Sequence, residues 1–369
     1  MAIYIQRLDI DHFRGIHGLV LENLNHVNIV AGDNNSGKTS VLEAMLFLRN
    51  PKDFNNVLRV ARIRDMGYPF NAVSVYENFI NLFPKNITPS EISIAGICMD
   101  EPVLFRLIGE EKSILLAPDD LYQNHPASMR RERIRQYSDG LETIAFKGCL
   151  YFGLGEKLGN DFFEFHPHSK ITGREIERNN YLSITYLSPT DHVRGNIFNK
   201  IVSDDLYKEI CINVLRLFDP QILDLVYKKN EDTNRPIECI KHTILDKMPI
   251  STYGDGIKKI LSLANSIAQA RNGVLMIDEL ETAIHSKYYD DIFRFIMKAC
   301  KQFQVQLFIT THSMEAIDRL LAAQDYDKHN SDDISVITFK RESEHTYSRT
   351  LSGRRVFSNR EEFGFEVRL

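Results

Sequence analysis

The residues best suited to chemistry form one short loop, Gly32-Asp33-Asn34-Asn35-Ser36-Gly37-Lys38-Thr39, which fits the pattern GxxxxGK[ST] in full. Such a loop is built for phosphate. Its glycines let the backbone close around the oxygens with no Cβ in the way. Successive N–H groups at a helix N-terminus aim partial positive charge at one point. Lys38 can then reach the β- and γ-phosphates of ATP, and the Thr39 hydroxyl can ligate Mg²⁺. The flanks supply the elements this needs. His26 to Ala31 reads as an apolar strand, and Ser40 to Leu48 repeats apolar residues at helical spacing. The whole run from Gly32 to Ser40 is the candidate nucleotide-binding loop.

Two strand ends far downstream carry the other polar groups that triphosphate hydrolysis needs. Gly273-Val-Leu-Met-Ile-Asp278-Glu279 is an apolar strand ending in two carboxylates, the Walker B pattern. Asp278 would hold Mg²⁺ through water, and Glu279 would act as general base on the attacking water. Gln306 to Ser313 is a second apolar strand, ending at His312. A carboxylate pair or a lone histidine at a strand end is, by itself, usually structural. The loop, the carboxylates and the histidine in this order point together to ATP hydrolysis, with Lys38, Glu279 and His312 as candidate catalytic residues.

Between these lies Ser251-Thr-Tyr-Gly254-Asp-Gly256-Ile-Lys-Lys259, a glycine-rich turn opening a helical pattern from Ile260 to Ala270. With that piece the chain resembles the non-transporter branch of the ABC ATPases. Within it, the chain is most similar to the ATPase domains of the "overcoming lysogenization defect" proteins and their stand-alone relatives in bacterial defence operons; RecF and the SMC proteins are more distant kin. The resemblance is carried by Phe13-Arg14-Gly15, the loop at Gly32 to Thr39, Gly254 to Lys259, Ile277-Asp-Glu-Leu-Glu281 with His285, Thr310 to Glu315, and the ending Arg360 to Arg368. It implies an α/β ABC-ATPase fold with a RecA-like parallel core, an antiparallel β-lobe and a short helical lobe. It also implies a homodimer or higher oligomer, in which Ser251, Gly254 and Gly256 of one subunit complete the γ-phosphate site of another. Arg14 would lie near the sugar or α-phosphate, and His312 at the switch position beside the γ-phosphate. Two features depart from the pattern. The Leu-Ser-Gly-Gly core is missing, Ser251 being the serine nearest in sequence. No Q-loop glutamine is evident either; the positional candidate is Ser183 to His192, which equally fits a plain strand-to-helix connection broken at Pro189.

Composition bounds the remaining alternatives. At 369 residues and 43% hydrophobic content the chain can form one two-lobed α/β body. No apolar run approaches the ~18 residues of a membrane span, and Met1 to Arg7 lacks a signal-peptide layout. Cys98, Cys149, Cys211, Cys239 and Cys300 are scattered, odd in number and without a CxxC pair. That argues against a disulfide framework or zinc site and fits a reducing cytoplasm. A net charge of −5 gives no global drive toward nucleic acid. Two local clusters, Arg59/Arg62/Arg64 and Arg130/Arg131/Arg133/Arg135, could each face phosphates, or simply water.

Along the chain, residues 1–193 read as an N-terminal ATPase lobe with an antiparallel β-subdomain, 194–250 as a helical lobe and 251–369 as a C-terminal ATPase lobe. Strands are expected at Ile3 to Asp11 and Val20 to Val30. A meander is expected at Ile92 to Cys98, Val103 to Ile108 and Ser113 to Ala117, with Gly109-Glu-Glu-Lys112 as a turn. After His312 come a helix, a polar linker, a strand at Ile334 to Phe339 and a short tail. The lysogenization-defect nucleases carry a metal-binding toprim domain here, but no acidic-glycine strand end precedes an Asp-x-Asp in this stretch. The expected role is therefore an ATP-dependent sensor or scaffold in a bacterial antiphage complex, with a separate effector, such as a nuclease, encoded nearby. A RecF-like ATPase acting directly on DNA is the alternative. A transporter's nucleotide-binding subunit is disfavoured by the missing signature and glutamine.

Overall fold

The computed structural model describes residues 2–33, 35–64, 73–117, 140–169, 180–193, 197–231, 233–324, 326, 332–342 and 345–363. The N-terminal part begins with β1 (Ile5–Phe13), β2 (Ile16–Leu21) and β3 (Val27–Ala31), followed by α1 (Lys38–Met45), α2 (Phe54–Arg62) and α3 (Val75–Ile80). Then come β4 (Ser90–Cys98), β5 (Glu101–Leu116), β6 (Leu141–Leu154), β7 (Lys157–Phe165) and β8 (Ile184–Leu187). The middle part holds α4 (Asp205–Leu215), β9 (Ile222–Lys229), β10 (Pro236–His242) and β11 (Asp246–Pro249). The C-terminal part holds α5 (Asp255–Gln269), β12 (Val274–Ile277), α6 (Tyr289–Phe303), β13 (Gln306–Thr311), α7 (Met314–Ala322), β14 (Ile334–Glu342), β15 (His345–Ser352) and α8 (Gly353–Phe363).

The sheet that positions the site runs β15-β14-β3-β13-β12-β8, so the first and last segments of the chain share it. All its neighbours are parallel except β14 and β15. Strands covered on both faces read as unbroken apolar runs, and β3, β12 and β13 are buried at every residue. Alternate side chains still face opposite cores. Ile29, Leu275, Ile277, Leu307 and Ile309 pack with α4 to α7. Val30, Val274, Met276 and Phe308 pack with α1, α2 and the antiparallel sheet. Because these strands run one way, the turns after β3, β8, β12 and β13 open on one edge, where α/β sheets place their ligands. Register sets the levels there: Ile277 pairs with both Ile309 and Leu187, and Ile309 with Ile29.

The antiparallel sheet has the order β2-β1-β4-β5-β6-β7. One expectation fails in it. Gly109-Glu-Glu-Lys112 is not a turn, because β5 runs straight through it, paired with β6 as far as Leu116. Gly109 stands opposite Gly148, and a Cβ there would come within 2.5 Å of the Phe146 ring. The glycine serves close approach, not reversal.

The segment expected as a helical lobe is also different. Among the described residues the one α-helix there is Asp205–Leu215, and Ile222–Lys229, Pro236–His242 and Asp246–Pro249 form the three-stranded sheet β11-β10-β9. Asn234 turns the chain at φ 59°, while Ile222, Leu225 and Ile240 bury against the core beneath α4 to α7. This stretch is too polar to carry a clear period, so strand pairing and burial decide its state. The expected short tail likewise holds β15 and α8, the latter tied to α7 by the two-pronged ion pair of Arg360 with Asp318. All five cysteines are buried free thiols. Among the described residues, no helix is long and apolar enough to cross a membrane.

Candidate functional site

β3 delivers the chain to the phosphate loop at Ala31, and α1 takes it up at Lys38. Within the loop the Ser36 N–H donates to the Asp33 carbonyl at 3.3 Å. Gly37 caps α1 at φ 95°, a conformation that side chains resist. Asn34 lies outside the described residues. Lys38 folds back so that Nζ donates to the carbonyls of Gly32 and Asp33 at 2.7 and 2.6 Å. Burial pushes its pKa down, against the pull of Asp278 and Glu279.

The loop meets β12 directly. Thr39 Oγ1 lies 3.0 and 3.2 Å from the two carboxylate oxygens of Asp278. Two more hydroxyls donate to that buried carboxylate, Thr310 at 2.5 Å and Tyr186 at 3.2 Å. Burial first, then Asp278, raises the Tyr186 phenol far above its ordinary range, so it stays protonated and can donate. Glu279 follows at φ 48°, its N–H donating to Thr310 Oγ1 at 2.8 Å. Asn35 to Ser40, Tyr186, Ser188 to Asp191, Asp278 and Glu279 border a cleft of about 930 Å³, walled on one side by α2 and its Arg59. Asp191 accepts from the Ser188 N–H at 2.7 Å, shaping the polar turn that follows β8.

The other candidates are placed differently. Arg14 sits at the tip of the β1–β2 hairpin with φ 52°, and its guanidinium reaches Glu43 of α1 at 2.9 Å. Glu43 is fully buried and also takes Arg64 at 2.6 Å. Burial pushes Arg14 down despite Glu43. For Arg64, burial is outweighed by the hydrogen bond to Glu43 and its pKa rises. The first basic cluster is thus dispersed: Arg64 is paired, Arg59 lines the cleft and Arg62 is exposed. The cluster at 130–135 lies outside the described residues. His312 does not border the cleft; its Nδ1 and N–H both meet Glu281 Oε1, at 3.0 and 2.9 Å.

Ser251, Gly254 and Gly256 stand before and at the start of α5, away from the cleft lining. A Cβ on Gly254 would touch nothing within 4 Å, and one on Gly256 would come no nearer than 3.5 Å to the Ala283 carbonyl. Packing within one chain does not require either glycine. Further along α5, Lys259 is fully buried, and its Nζ has no hydrogen-bond partner among the described residues. Burial pushes this amine down to about 8, against Asp191, Glu281, Asp278 and Glu279.

Thr310, Tyr186 and Glu43 carry contacts that sequence reasoning missed. Thr310 looked like one more residue of an apolar strand, and only the register of β13 against β12 reveals it.

The donor set fits Mg²⁺ with a triphosphate. Thr39 and Asp278 offer hard oxygen ligands in mutual contact, and Lys38 with the α1 N-terminus offers positive charge beside them. No three His, Cys, Asp or Glu side chains among the described residues converge on a metal cage. A divalent ion here would fill its shell with phosphate oxygens and water.

Several known proteins are similar to this chain in sequence or in fold. Residues 139–318 match the family described as "AAA domain, putative AbiEii toxin, Type IV TA system". The chain is similar to the ATP/GTP phosphatase of Helicobacter pylori, 23% identical over 97% of this chain and 99% of that protein. It is also similar to the DNA replication and repair protein RecF of Oenococcus oeni, 21% identical over 86% of this chain and 95% of that one. In fold it resembles an SMC head crystallised with the C-winged helix domain of ScpA. The TM-score is 0.51 at 14% identity, covering 96% of this chain and all of the other. These likenesses give the chain a mixed α/β fold of the kind seen in SMC heads, with sequence similarity to RecF and to an ATP/GTP phosphatase.

Proposed function

We propose that this chain hydrolyses ATP in a Mg²⁺-dependent manner at the edge of its parallel sheet, and that nucleotide state controls its association with itself and with a separate effector protein in a bacterial antiphage complex. The observation that carries the catalytic part is the contact between Thr39 and Asp278, which joins the phosphate loop to the Walker B strand. When bound, Mg²⁺ supplies Lewis-acid stabilisation of charge on the phosphate oxygens. Thr39 and Asp278 would hold it. Lys38 swings from its carbonyl partners to the β- and γ-phosphates, and the loop N–H groups from Asn35 to Ser40 bind the remaining oxygens. Glu279, partly exposed beside Asp278, takes the proton of the water whose oxygen attacks the γ-phosphorus as the bond to the ADP oxygen breaks. Glu281 holds His312 at the end of β13, outside the cleft lining. Similarity to the Helicobacter pylori ATP/GTP phosphatase along nearly all of both chains supports this chemistry and makes GTP a second substrate to test.

The open space at Gly254 and Gly256 supports the proposed assembly. In a dimer of the ABC kind, these residues and Ser251 approach the γ-phosphate held by a second copy, where a side chain would obstruct them. The defence role is supported by the likeness to lysogenization-defect ATPases and by the toxin–antitoxin description of the matched family. The RecF relative favours a second reading, direct action on DNA. Lys38→Ala tests the core of the proposal: it should abolish tight ATP binding in equilibrium titration, and an unchanged affinity would refute the site.

A further inference from the structure

Thr310 is fully buried on β13, and its hydroxyl both donates and accepts within the site. It donates to Asp278 Oδ1 at 2.5 Å and accepts the Glu279 N–H at 2.8 Å. The register dictates this. Ile277 pairs with Ile309, so the next residue of β13 comes level with the carboxylate that ends β12. Glu279 needs such a hold, because its φ of 48° lies where non-glycine residues stay only when their surroundings impose it. The other oxygen of Asp278, Oδ2, takes the Tyr186 hydroxyl at 3.2 Å. With each oxygen held by a donor, the carboxylate keeps its orientation when Thr39 turns its lone pair toward a metal.

We propose that Thr310 is a positioning residue for nucleotide hydrolysis. One hydroxyl sets both the metal-binding carboxylate of Asp278 and the backbone from which the Glu279 carboxylate projects. This rests on the roles given to Asp278 and Glu279 above. Valine at this position keeps the shape but removes the hydroxyl. Asp278 then loses its shortest donor, and the Glu279 N–H loses its acceptor. Serine keeps the hydroxyl and loses only a methyl group.

The test compares Thr310→Val and Thr310→Ser with the unaltered protein by two readouts. One is affinity for a fluorescent ATP analogue with and without Mg²⁺; the other is steady-state kcat and KM. Thr310→Val should bind nucleotide normally without Mg²⁺. It should lose about 10–100-fold in the tightening that Mg²⁺ confers and a similar factor in kcat, as partners of metal ligands commonly do. Thr310→Ser should restore most of both. Wild-type behaviour of Thr310→Val in both readouts would overturn the proposal. So would a serine variant as impaired as the valine one, because the methyl packing would then be responsible. If Thr310→Val does not fold, Tyr186→Phe reports on the same carboxylate: its Mg²⁺-dependent tightening should fall, and an unchanged value would count against the clamp. The two levels separate cleanly. Full turnover by Glu279→Gln would defeat the base assignment while leaving the Mg²⁺-dependent affinity loss as evidence for Thr310.

Discussion

Replacing Lys259 by methionine should make this protein more stable. Lys259 has no exposed surface, and its Nζ finds no hydrogen-bond partner among the described residues. Burial lowers its pKa from the ordinary 10.5 to about 8, even with Asp191, Glu281, Asp278 and Glu279 pulling the other way. At about 1.4 kcal/mol per pH unit, holding this ammonium inside the fold at neutral pH costs about 3 kcal/mol. Methionine has nearly the same length and carries no charge, so the variant should recover most of that at pH 7. The sign of the pH dependence follows from linkage. Between about 8 and 10.5 the unfolded chain binds a proton at this position that the folded chain has released, so folding gains stability as pH rises through that window. The penalty is complete below about 8 and absent above 10.5. Urea unfolding of both proteins at pH 7 and pH 10 isolates the effect, because other titrating groups cancel in the difference. The methionine variant should lead by about 2–3 kcal/mol at pH 7 and by much less at pH 10. A variant less stable than the parent at pH 7, or a gap that ignores pH, would refute the argument. A more stable variant with weakened nucleotide binding would show that the ammonium is kept for its charge beside the phosphate site, a trade of stability for function.

Other expectations concern assembly and output. ATP with Mg²⁺ should raise the associated fraction in light scattering, most of all in Glu279→Gln. Gly256→Asp should suppress this by placing a carboxylate where the proposed dimer would bring a second copy's phosphate, and an oligomer indifferent to both would place assembly elsewhere. The purified chain should turn over ATP yet leave DNA and RNA intact, with cleavage appearing only when its operon neighbour is added. Metal-dependent cleavage by the chain alone, lost in Asp278→Ala, would end that division of labour. Strong DNA binding that weakens steeply with salt and is lost on charge reversal at Arg130, Arg131, Arg133 and Arg135 would instead favour the RecF-like reading.

The parallel core was legible because its strands are buried on both faces and end in residues with few other uses. Val274 to Ile277 followed by two carboxylates, and a complete phosphate loop after Val27 to Ala31, leave little freedom of interpretation. Between the motifs the signal weakens. β9 and β10 mix buried Ile222, Leu225 and Ile240 with many charges, so neither a helical nor a strand period stands out. Gly109 was misread because a glycine that admits an aromatic ring looks, in sequence, like one that turns a chain. The contacts of Thr310, Tyr186 and Glu43 were out of reach for another reason. Each depends on a register or hairpin that brings together residues remote in sequence, such as Arg14 on Glu43 and Tyr186 on Asp278.

Phosphate release from ATP by Glu279→Gln, measured beside the unaltered protein at saturating nucleotide, tests the central claim most directly. The amide preserves shape but cannot accept the proton of the attacking water, so turnover should fall by about 100-fold or more while ATP still binds. Equal rates in the two proteins would contradict the assignment of Glu279 as the base, and with it the mechanism proposed for this site.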